Sequence, residues 1–322
     1  MNYQDSTLFV TGAHGCIGAW IVKLALEGGA RVVAFDQTGD PWRLKLIAPD
    51  YDSSRLTLAT GAIEDTAAVK TLVKDSGVTH ICHMAAVLMP YCAANPVSGG
   101  LIDVIGTLNV FEAARDSGRD VRITYASSSA VWGPPSFYED RPLTERDTPQ
   151  PSTHYGVFKQ ANEGNARVFF AQNGISSIAL RPWTVYGPGR DTGLTADPTL
   201  AMRSVAERKP FQIRTTGKMD LQFVEDIAAT FLACLYSPLT GAHVFNVAGD
   251  IVDMTDLIAL FEELRPEARG LITAAGNAVP VAYRMDDAEL RARVPGVRRT
   301  SLRDGIERTI RFFESRVNPP HI

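Results

Sequence analysis

Residues 7–36 read Thr-Leu-Phe-Val-Thr-Gly-Ala-His-Gly-Cys-Ile-Gly-Ala-Trp-Ile-Val-Lys-Leu-Ala-Leu-Glu-Gly-Gly-Ala-Arg-Val-Val-Ala-Phe-Asp. This stretch decides the fold. A short apolar strand (Leu8 to Val10) leads into a turn with glycines at positions 12, 15 and 18, and a helix-forming stretch continues to Glu27. A second apolar strand (Arg31 to Phe35) ends in an acid, Asp36. The pattern predicts a strand–helix–strand unit whose first turn is rich in glycine.

The spacing of the glycines suits a dinucleotide. Gly12 permits a tight turn, Gly15 lets a pyrophosphate approach the backbone, and Gly18 lets the helix lie close to the sheet. The free N–H groups at the helix start then face the phosphates. Asp36 lies 18 residues after Gly18, where a carboxylate accepts hydrogen bonds from both ribose hydroxyls and repels a 2′-phosphate. We therefore expect NAD rather than NADP. The glycine triplet taken alone also fits a turn that binds no nucleotide.

The composition excludes several classes of partner. The 322 residues suffice for one large domain or two closely joined lobes. The formal net charge is -4 and no basic run occurs, so neither nucleic acid nor an anionic membrane is an expected partner. No apolar run approaches the roughly 20 residues that a membrane span requires. The N-terminus is polar and leads straight into the first strand, so no signal peptide is expected.

Cysteine and histidine give no metal-binding pattern. The four cysteines lack ligand spacing, and Cys16 and Cys82 are interpreted as small packing residues, which fits a reduced, cytoplasmic setting. The six histidines form no ligand cluster, so no metal site is expected. His83 is interpreted as a packing residue and His154 as a residue at the start of a helix.

Strand and helix patterns alternate through the first 180 residues. This alternation predicts an α/β fold with a doubly wound parallel sheet of the Rossmann type. The predicted strands are Leu8–Val10, Arg31–Phe35, Leu56–Thr60, His80–Met84, Arg122–Ala126 and Ser177–Leu180, and the predicted helices are Gly18–Glu27, Ala67–Asp75, Leu101–Asp116 and Tyr155–Gln172.

Regular alternation stops after Arg181, where proline and glycine become frequent. Further on, Phe223 to Tyr236 reads as a helix, His243 to Val247 as a buried strand, and the tail from Asp250 as charged and helical. We predict an NAD-binding Rossmann domain made of residues 1–181 and 220–248. A smaller α/β substrate-binding lobe would consist of residues 182–219 and 249–322.

Tyr155 and Lys159 are candidate catalytic residues. They are four positions apart at a predicted helix start and therefore share one helix face. A phenol titrates near 10, about three units too high for a base at neutral pH. A lysine one turn away, together with a positively charged nicotinamide, favours the phenolate. Taken alone, the pair also fits an ordinary amphipathic helix.

Three serines end the strand that contains Tyr125. Ser127, Ser128 and Ser129 lie where doubly wound folds place their ligands, at the carboxyl edge of the sheet. A hydroxyl there can hydrogen-bond a substrate oxygen next to Tyr155. The alternative is that the serines cap and turn the end of the strand.

Taken together, these motifs resemble the extended short-chain dehydrogenase/reductases, specifically the NAD-dependent epimerase/dehydratase group that includes UDP-galactose 4-epimerase. The resemblance covers nearly the whole chain, from the glycine turn to the helical tail. It rests, besides the features above, on His83-Met-Ala-Ala86, Gly106-Thr-Leu-Asn109, Arg181-Pro-Trp-Thr-Val-Tyr-Gly-Pro-Gly189 and Val224-Glu-Asp226.

The resemblance implies roles for individual residues. Tyr155 would be the catalytic base, and Lys159 would support it and bind the nicotinamide ribose. The family's catalytic Ser/Thr precedes the glycine of a Val-Tyr-Gly motif by five positions, which selects Ser128 and ranks its two serine neighbours lower. The implied cofactor-binding residues are Gly12, Gly15, Cys16, Ile17, Gly18, Asp36, Ile63, Ala85, Ala86, Lys159, Pro182 and Val185.

Three departures from the family pattern narrow the reaction. No Asp-Glu pair follows Ser128, so a 4,6-dehydratase is not expected. Nucleotide-sugar enzymes often carry an arginine seven positions before the Asp of the Val-x-Asp segment (Asp226 here), where it binds the pyrophosphate of the substrate. Here that position is Met219, so the sequence gives no support for a nucleotide diphosphate on the substrate. Asp103 and Ala62 replace the Asn and Asp usual at two positions that contact the cofactor.

The sequence therefore predicts an NAD-dependent enzyme that oxidises a secondary alcohol of a sugar or sugar-derived substrate. If the ketone stays and is reduced from its other face, the enzyme is an epimerase. If it leaves, the enzyme is a dehydrogenase that releases NADH. A non-catalytic NAD sensor is a third possibility, against which the Ser128, Tyr155 and Lys159 set argues. The resemblance also implies a homodimer formed through the helices around 101–116 and 155–172.

Overall fold

A seven-stranded parallel sheet forms the centre of the computed structural model, which describes residues 3–317. The strands that build it are β1 (Thr7–Thr11), β2 (Arg31–Asp36), β3 (Leu56–Thr60), β4 (His80–His83), β5 (Arg122–Ala126), β6 (Ser177–Arg181) and β10 (Ala242–Asn246). Their spatial order is β10-β6-β5-β4-β1-β2-β3. Each coincides with a strand expected from the sequence, so the predicted Rossmann-type sheet is confirmed.

Helices cover both faces of this sheet. The helices of the described residues are α1 (Cys16–Glu27), α2 (Trp42–Ile47), α3 (Thr66–Asp75), α4 (Met89–Ala94), α5 (Pro96–Gly100), α6 (Gly106–Asp116), α7 (His154–Asn173), α8 (Asp197–Glu207), α9 (Val224–Leu235), α10 (Met254–Leu264), α11 (Ala288–Arg293) and α12 (Leu302–Val317). Of these, α8, α10 and α12 pack in a smaller lobe and not on the main sheet. On one face, α1 packs against α9 through residues such as Ile21 and Phe231. On the other face, α3, α6 and α7 cover a core that contains Phe9, Phe111 and Tyr125.

The strand order reverses between β1 and β4, because the chain proceeds from β1 to β2 on one side and continues with β4 on the other. A crevice opens at such a point beyond the carboxyl ends of the strands, and doubly wound proteins bind their ligands there. Here the turn after β1 meets the segment after β4. A Cβ added to Gly12, whose φ is +61°, would lie 2.7 Å from the backbone nitrogen of Ala85.

A smaller lobe lies beyond the carboxyl edge of the main sheet. It contains a three-stranded sheet of β7 (Thr184–Tyr186), β9 (Lys218–Phe223) and β11 (Asp250–Asp253), and a pair of β8 (Phe211–Ile213) and β12 (Ile272–Ala274). Its apolar core includes Met202, Phe261 and Ile306. The sequence did not indicate these strands, which are three to six residues long and separated by proline and glycine.

Strand β9 crosses the predicted domain boundary between residues 219 and 220. Its residues 218–221 pair with β11 and its residues 221–223 pair with β7, so residues 220–223 belong to the smaller sheet. Helix α9, which follows at once, packs under the main sheet. The chain therefore returns to the Rossmann domain at about Val224. The rest of the predicted division stays a prediction, and its last residues, 318–322, lie outside the described part.

The helical segment Pro96–Asp116 is longer than the predicted Leu101–Asp116. It joins α5 to α6 through a π-helical turn, Leu101–Ile105. Among the described residues it is the one helix that meets the length and apolarity of a membrane span, and half of its most apolar window is buried within the protein. Buried core helices meet the same criteria.

Candidate active site

One large cavity, of about 1580 Å³, lies between the two lobes at the point where the strand order reverses. All fourteen residues predicted for catalysis or cofactor binding line it. They come from the turn after β1, the ends of β2, β4 and β5, the segment that precedes α3, the start of α7 and the segment between β6 and β9. The cavity is thus the place where the sequence motifs meet.

The phosphate turn has the geometry that a dinucleotide needs. Gly12 occupies the left-handed region, and a Cβ on Gly18 would lie 2.1 Å from the carbonyl oxygen of Gly12, so α1 starts directly against the turn. Gly15 precedes the first helical residue, Cys16, and carries no capping side chain. The N–H groups of the first turn of α1 therefore point toward the cavity without an intrahelical acceptor.

Asp36 stands at the end of β2 and lines the same cavity. Its Oδ2 accepts a hydrogen bond of 2.9 Å from the backbone N–H of His14, which fixes the carboxylate beside the phosphate turn. The remaining lone pairs of the Asp36 carboxylate are free to accept hydrogen bonds from the hydroxyls of an adenosine ribose. Glycine turn, helix start and carboxylate together fit NAD as the cofactor.

Arg43, which the sequence did not single out, contacts the backbone of His14, as Asp36 does, and uses all three of its guanidinium nitrogens. Its guanidinium donates to the carbonyl oxygens of His14 (2.7 Å) and Gly189 (3.0 Å) and pairs with Asp191 at 2.6 Å. The charge of this guanidinium is offset by Asp191. These contacts also tie the phosphate turn to the loop that follows β7.

The start of α7 carries the catalytic candidates. Thr153 caps the helix by accepting a 3.1 Å hydrogen bond from the N–H of Gly156. Tyr155 and Lys159 are both buried, with 9% and 3% of their surface exposed, and the Lys159 Nζ lies 5.5 Å from the centre of the Tyr155 ring. A Cβ on Gly156 would lie 2.1 Å from the carbonyl oxygen of Ala130, so the helix start packs directly on the serine loop.

Burial controls the protonation of both groups. It raises the pKa of Tyr155 above its usual value, the buried Asp103 raises it further, and a hydrogen bond with Ser128 lowers it. Burial lowers the pKa of Lys159, while Asp103 acts in the opposite direction. The sequence predicted an acidified phenol. The protein's own groups do not provide this, because desolvation outweighs the nearby charges, so a positively charged partner is needed beside Tyr155.

The structure distinguishes the three serines. The Ser127 hydroxyl donates to Glu163 Oε1 at 2.5 Å and is thereby committed to a buried acid. Ser128, at the start of a short helical turn, accepts from the N–H of Ala130 at 3.1 Å, and its hydroxyl lowers the pKa of Tyr155. Ser129 hydrogen-bonds Pro182 through its backbone. Ser128 is therefore the serine whose hydroxyl faces the phenol.

Glu163 and Arg181 form a buried ion pair behind this loop. Each is at most 3% exposed, and the guanidinium donates to both carboxylate oxygens, at 2.8 and 2.7 Å. The plane of Arg181 also lies 4.6 Å from the Trp132 ring. Glu163 follows Lys159 by four positions on the same helix face, so the spacing Tyr-xxx-Lys-xxx-Glu was the signal that could have revealed it.

The remaining predicted residues take packing or lining positions. His83 is buried between Thr11 (2.7 Å) and Thr107 (3.0 Å), and burial, with a smaller effect of Lys159, lowers its pKa to about 3. His154 begins α7, as expected. Met219 is fully buried in the core of the small lobe, and Lys218 lies outside the cavity lining. Within residues 3–317, no group of His, Cys, Asp or Glu is arranged to hold a metal ion.

Similar proteins were found by sequence and by structure. The model of the NAD dependent epimerase/dehydratase family matches residues 8–248. A UDP-glucuronate 4-epimerase of Arabidopsis thaliana is 26% identical over 96% of this chain and 75% of its own length, and a UDP-glucose 4-epimerase of Mycolicibacterium smegmatis is 25% identical over 95% and 98%. Several other plant UDP-glucuronate 4-epimerases are matched over less than two thirds of their length.

Among solved structures, MoeE5 in complex with UDP-glucuronic acid and NAD superposes with a TM-score of 0.79 at 26% identity, covering 95% of this chain and 98% of that one. The family match spans the whole Rossmann domain, including the glycine turn, the serine loop and the start of α7. The chain therefore belongs to the NAD-dependent epimerase/dehydratase family.

Proposed function

We propose that this protein is an NAD-dependent epimerase that acts on a secondary alcohol of a sugar nucleotide or sugar acid. One observation carries the proposal: Ser128, Tyr155 and Lys159 line the same cavity as the glycine turn and Asp36. The proposal draws further support from similar proteins, which are described as UDP-glucuronate and UDP-glucose 4-epimerases.

The cofactor would be held along the edge where the strand order reverses. The turn of Gly12 to Gly18 would hold the pyrophosphate, Asp36 the adenosine ribose, and Lys159 the nicotinamide ribose. Pro182 and Val185 would lie under the nicotinamide. When bound, NAD supplies the acceptor and donor of the hydride and a positive charge close to Tyr155.

Tyr155 would remove the proton of the reacting hydroxyl. Because burial raises the pKa of this phenol, its proton is lost only when positive charge stands close by. Lys159, held on the same helix face with its Nζ 5.5 Å from the centre of the Tyr155 ring, would add to the positive charge of the nicotinamide. Ser128, whose hydroxyl lowers the pKa of Tyr155, would donate to the substrate oxygen and steady it as it becomes a carbonyl.

The fate of the ketone decides between epimerase and dehydrogenase. An epimerase keeps the ketone, turns it, and returns the hydride to the opposite face, so no NADH accumulates. A dehydrogenase releases the ketone and accumulates NADH, which absorbs at about 340 nm. The names of the relatives favour the first outcome for this chain.

The test is an assay of the purified protein with UDP-glucuronate and UDP-glucose. We expect bound NAD in the preparation, formation of the 4-epimer, and no net absorbance change from NADH. Tyr155→Phe should reduce turnover by about 10²–10⁴-fold. Full turnover in Tyr155→Phe would reject the catalytic role, and net NADH would assign a dehydrogenase instead.

A homodimer is part of this proposal. Leu101 and Ile105, at the start of the α6 segment, and Val157 and Val168, on α7, expose 39–51% of their surface although they are large and apolar. The two helices pack side by side, and a second copy of the same face would cover these residues as a four-helix interface. Analytical ultracentrifugation at micromolar concentration should give a dimer. A monomer at that concentration would refute the proposed homodimer.

We propose that the protein is cytoplasmic, because its cysteines are unpaired. All four are free thiols in the structure, and burial raises the pKa of Cys16 to about 11 and of Cys82 to about 12. Fractionation of the source cells with an antibody to the protein tests this location.

A further inference from the structure

Asp103 is a buried acid next to the helix that carries Tyr155. It occupies the middle of the π-helical turn Leu101–Ile105, and only 1% of its surface is exposed. Such turns recur at functional sites of proteins. The backbone N–H of Val87 donates to its Oδ1 at 2.8 Å, and its own carbonyl oxygen accepts a 2.8 Å hydrogen bond from the Asn162 side chain on α7. The carboxylate is therefore held in a fixed place between the segment after β4 and α7.

The counter-charge of this carboxylate is Lys159. Burial raises the pKa of Asp103, and the ammonium of Lys159 lowers it. Burial likewise lowers the pKa of Lys159, and Asp103 raises it. Each charge thus supports the ionised form of the other, as expected for buried groups of opposite sign. On the side of β4, Lys159 faces His83, whose pKa burial lowers to about 3, so this histidine is neutral near neutral pH.

Tyr155 lies close to the same carboxylate. Its ring packs in a small apolar cluster with Cys92 and Ala130. The Cys92 Sγ in turn lies 3.8 Å from Asp103 Oδ2. On the helix itself, the Lys159 Nζ lies 5.5 Å from the centre of the Tyr155 ring. The phenol therefore has both the negative and the positive charge of the pair in its surroundings.

The groups that act on the phenol come from several elements. Burial raises the pKa of Tyr155 most, and the charge of Asp103 raises it further. The Cys92 thiol of α4 also raises this pKa, whereas Ser128 after β5 and Arg190 after β7 lower it. Asp103 is thus the charged group with the largest effect on the phenol, and it opposes loss of the proton.

The charges of this site favour an oxidised cofactor. The ammonium of Lys159 and the carboxylate of Asp103 cancel, so loss of the proton from Tyr155 leaves the buried site with an excess negative charge. The oxidised nicotinamide ring is positively charged and would remove this excess, whereas the reduced ring is neutral. A site without the Asp103 charge would hold one more positive charge and would repel the oxidised ring more strongly.

We propose that Asp103 is a positioning residue that sets the redox preference of the cofactor site. Its carboxylate balances Lys159 and thereby favours binding of oxidised NAD over NADH, and it keeps Tyr155 protonated until the oxidised ring is in place. Asp103 acts through these two residues, because it does not itself line the cavity. The inference rests on the proposed function, since it concerns the same cavity and the same cofactor.

The test incubates the full-length protein with an equimolar mixture of oxidised NAD and NADH and measures by chromatography which form is bound at equilibrium. The two forms share the pyrophosphate and both riboses, so the bound ratio reports the charge around the ring. Asp103→Asn removes the charge and keeps an oxygen for the Val87 N–H. Lys159→Met removes the opposite charge, and the double variant removes both. Asp220→Asn, the same change at an equally buried acid of β9 outside the cavity wall, is the matched control.

We expect Asp103→Asn to lower the bound ratio of oxidised NAD to NADH about 3–10-fold, Lys159→Met to raise it, and the double variant to lie within about twofold of the parent. Asp220→Asn should match the parent. An unchanged ratio in Asp103→Asn, or an equal fall in Asp220→Asn, overturns the inference. If Asp103→Asn does not fold, an unchanged ratio in Lys159→Met overturns it in the same way.

Titration of the phenol gives a second readout. In the NAD-loaded protein, removal of the Asp103 charge should let Tyr155 lose its proton about one pH unit lower, since a nearby negative charge opposes ionisation. The difference in ultraviolet absorbance between a protein with Tyr155 and its Tyr155→Phe counterpart follows this proton without turnover. A titration of Asp103→Asn that is unshifted, or shifted to higher pH, contradicts the inference.

Failure of the proposed function looks different in these experiments. Full turnover by Tyr155→Phe rejects the catalytic role, while the bound ratio still reports the charge of Asp103. A constant ratio together with turnover that depends on Tyr155 rejects only the role of Asp103.

Discussion

Replacing Glu163 by glutamine should destabilise the fold through the ion pair behind the serine loop. The carboxylate receives three hydrogen bonds, from Ser127 at 2.5 Å and from Arg181 at 2.8 and 2.7 Å, and both charged groups are at most 3% exposed. Glutamine keeps one acceptor oxygen but removes the carboxylate that pairs with the buried guanidinium, which leaves Glu145 as the acid near Arg181 among the described residues. The other side-chain hydrogen bond of Arg181 goes to Asn246 Oδ1 at 3.4 Å, which is long for a hydrogen bond.

Removal of one partner of a buried pair typically costs about 3–5 kcal/mol. We expect a loss of this size in the free energy of unfolding, measured by urea denaturation followed by tryptophan fluorescence and circular dichroism. A matched control is Glu27→Gln, whose partner Lys23 lies on the surface of α1, and there the loss should stay below about 1 kcal/mol. The double variant Glu163→Gln/Arg181→Met removes both charges and should recover part of the loss.

A loss below about 1 kcal/mol for Glu163→Gln would refute the reasoning, as would a double variant that is as unstable as the sum of its parts. Catalysis supplies a second readout. The pair joins α7 to the loop of Ser128, so turnover of the folded variant should fall more than its substrate affinity. An unchanged turnover number would show that the Glu163–Arg181 pair does not position the catalytic residues.

Three further predictions concern other parts of the site. Ser128→Ala should lower turnover about 10–100-fold, whereas Ser129→Ala should lower it less than about threefold, and equal effects would contradict the choice between the serines. Gly18→Ala should abolish NAD binding or prevent folding, because its Cβ would lie 2.1 Å from the carbonyl oxygen of Gly12. Calorimetry with NAD and thermal melting distinguish these two results, and normal NAD binding would contradict the close contact between α1 and the turn. His83, whose pKa is lowered to about 3, should stay neutral to well below pH 5 by NMR titration. Because the unfolded chain binds this proton near pH 6.5 and the folded one does not, His83 should cost stability as the pH falls from about 6.5 toward 3, by up to about 1.4 kcal/mol per pH unit.

Much of the Rossmann domain follows from local pattern. Strands β1, β2 and β5 are short apolar runs between turn residues, and the glycines of the first turn have the steric roles that their spacing predicts. The choice of Ser128 as the catalytic serine also came from its position in a motif, and it stays a prediction. These features depend on residues close in sequence, which is why they could be predicted.

The parts that were not predicted depend on distant partners. Strands β7 and β11 each pair with β9, between residues 29 to 37 positions apart in the chain, and their short runs carry no clear alternation. The contacts of Arg43 with Gly189 and Asp191 join segments about 146 residues apart. The protonation of Tyr155 is also a property of the folded site, because burial and the charge of Asp103, which is distant in sequence, both raise the pKa of this phenol.

The contacts of Arg43 have a mechanical consequence. Since its guanidinium binds both the turn before α1 and the loop at Gly189 and Asp191, the two sides of the cavity are clamped together at this corner. Widening the entrance there requires breaking an ion pair that is only partly shielded from water, with Asp191 about one third exposed. Dissolved salt weakens such a pair. Higher ionic strength should therefore speed the opening of the cavity at this corner and shorten the residence time of a bound molecule.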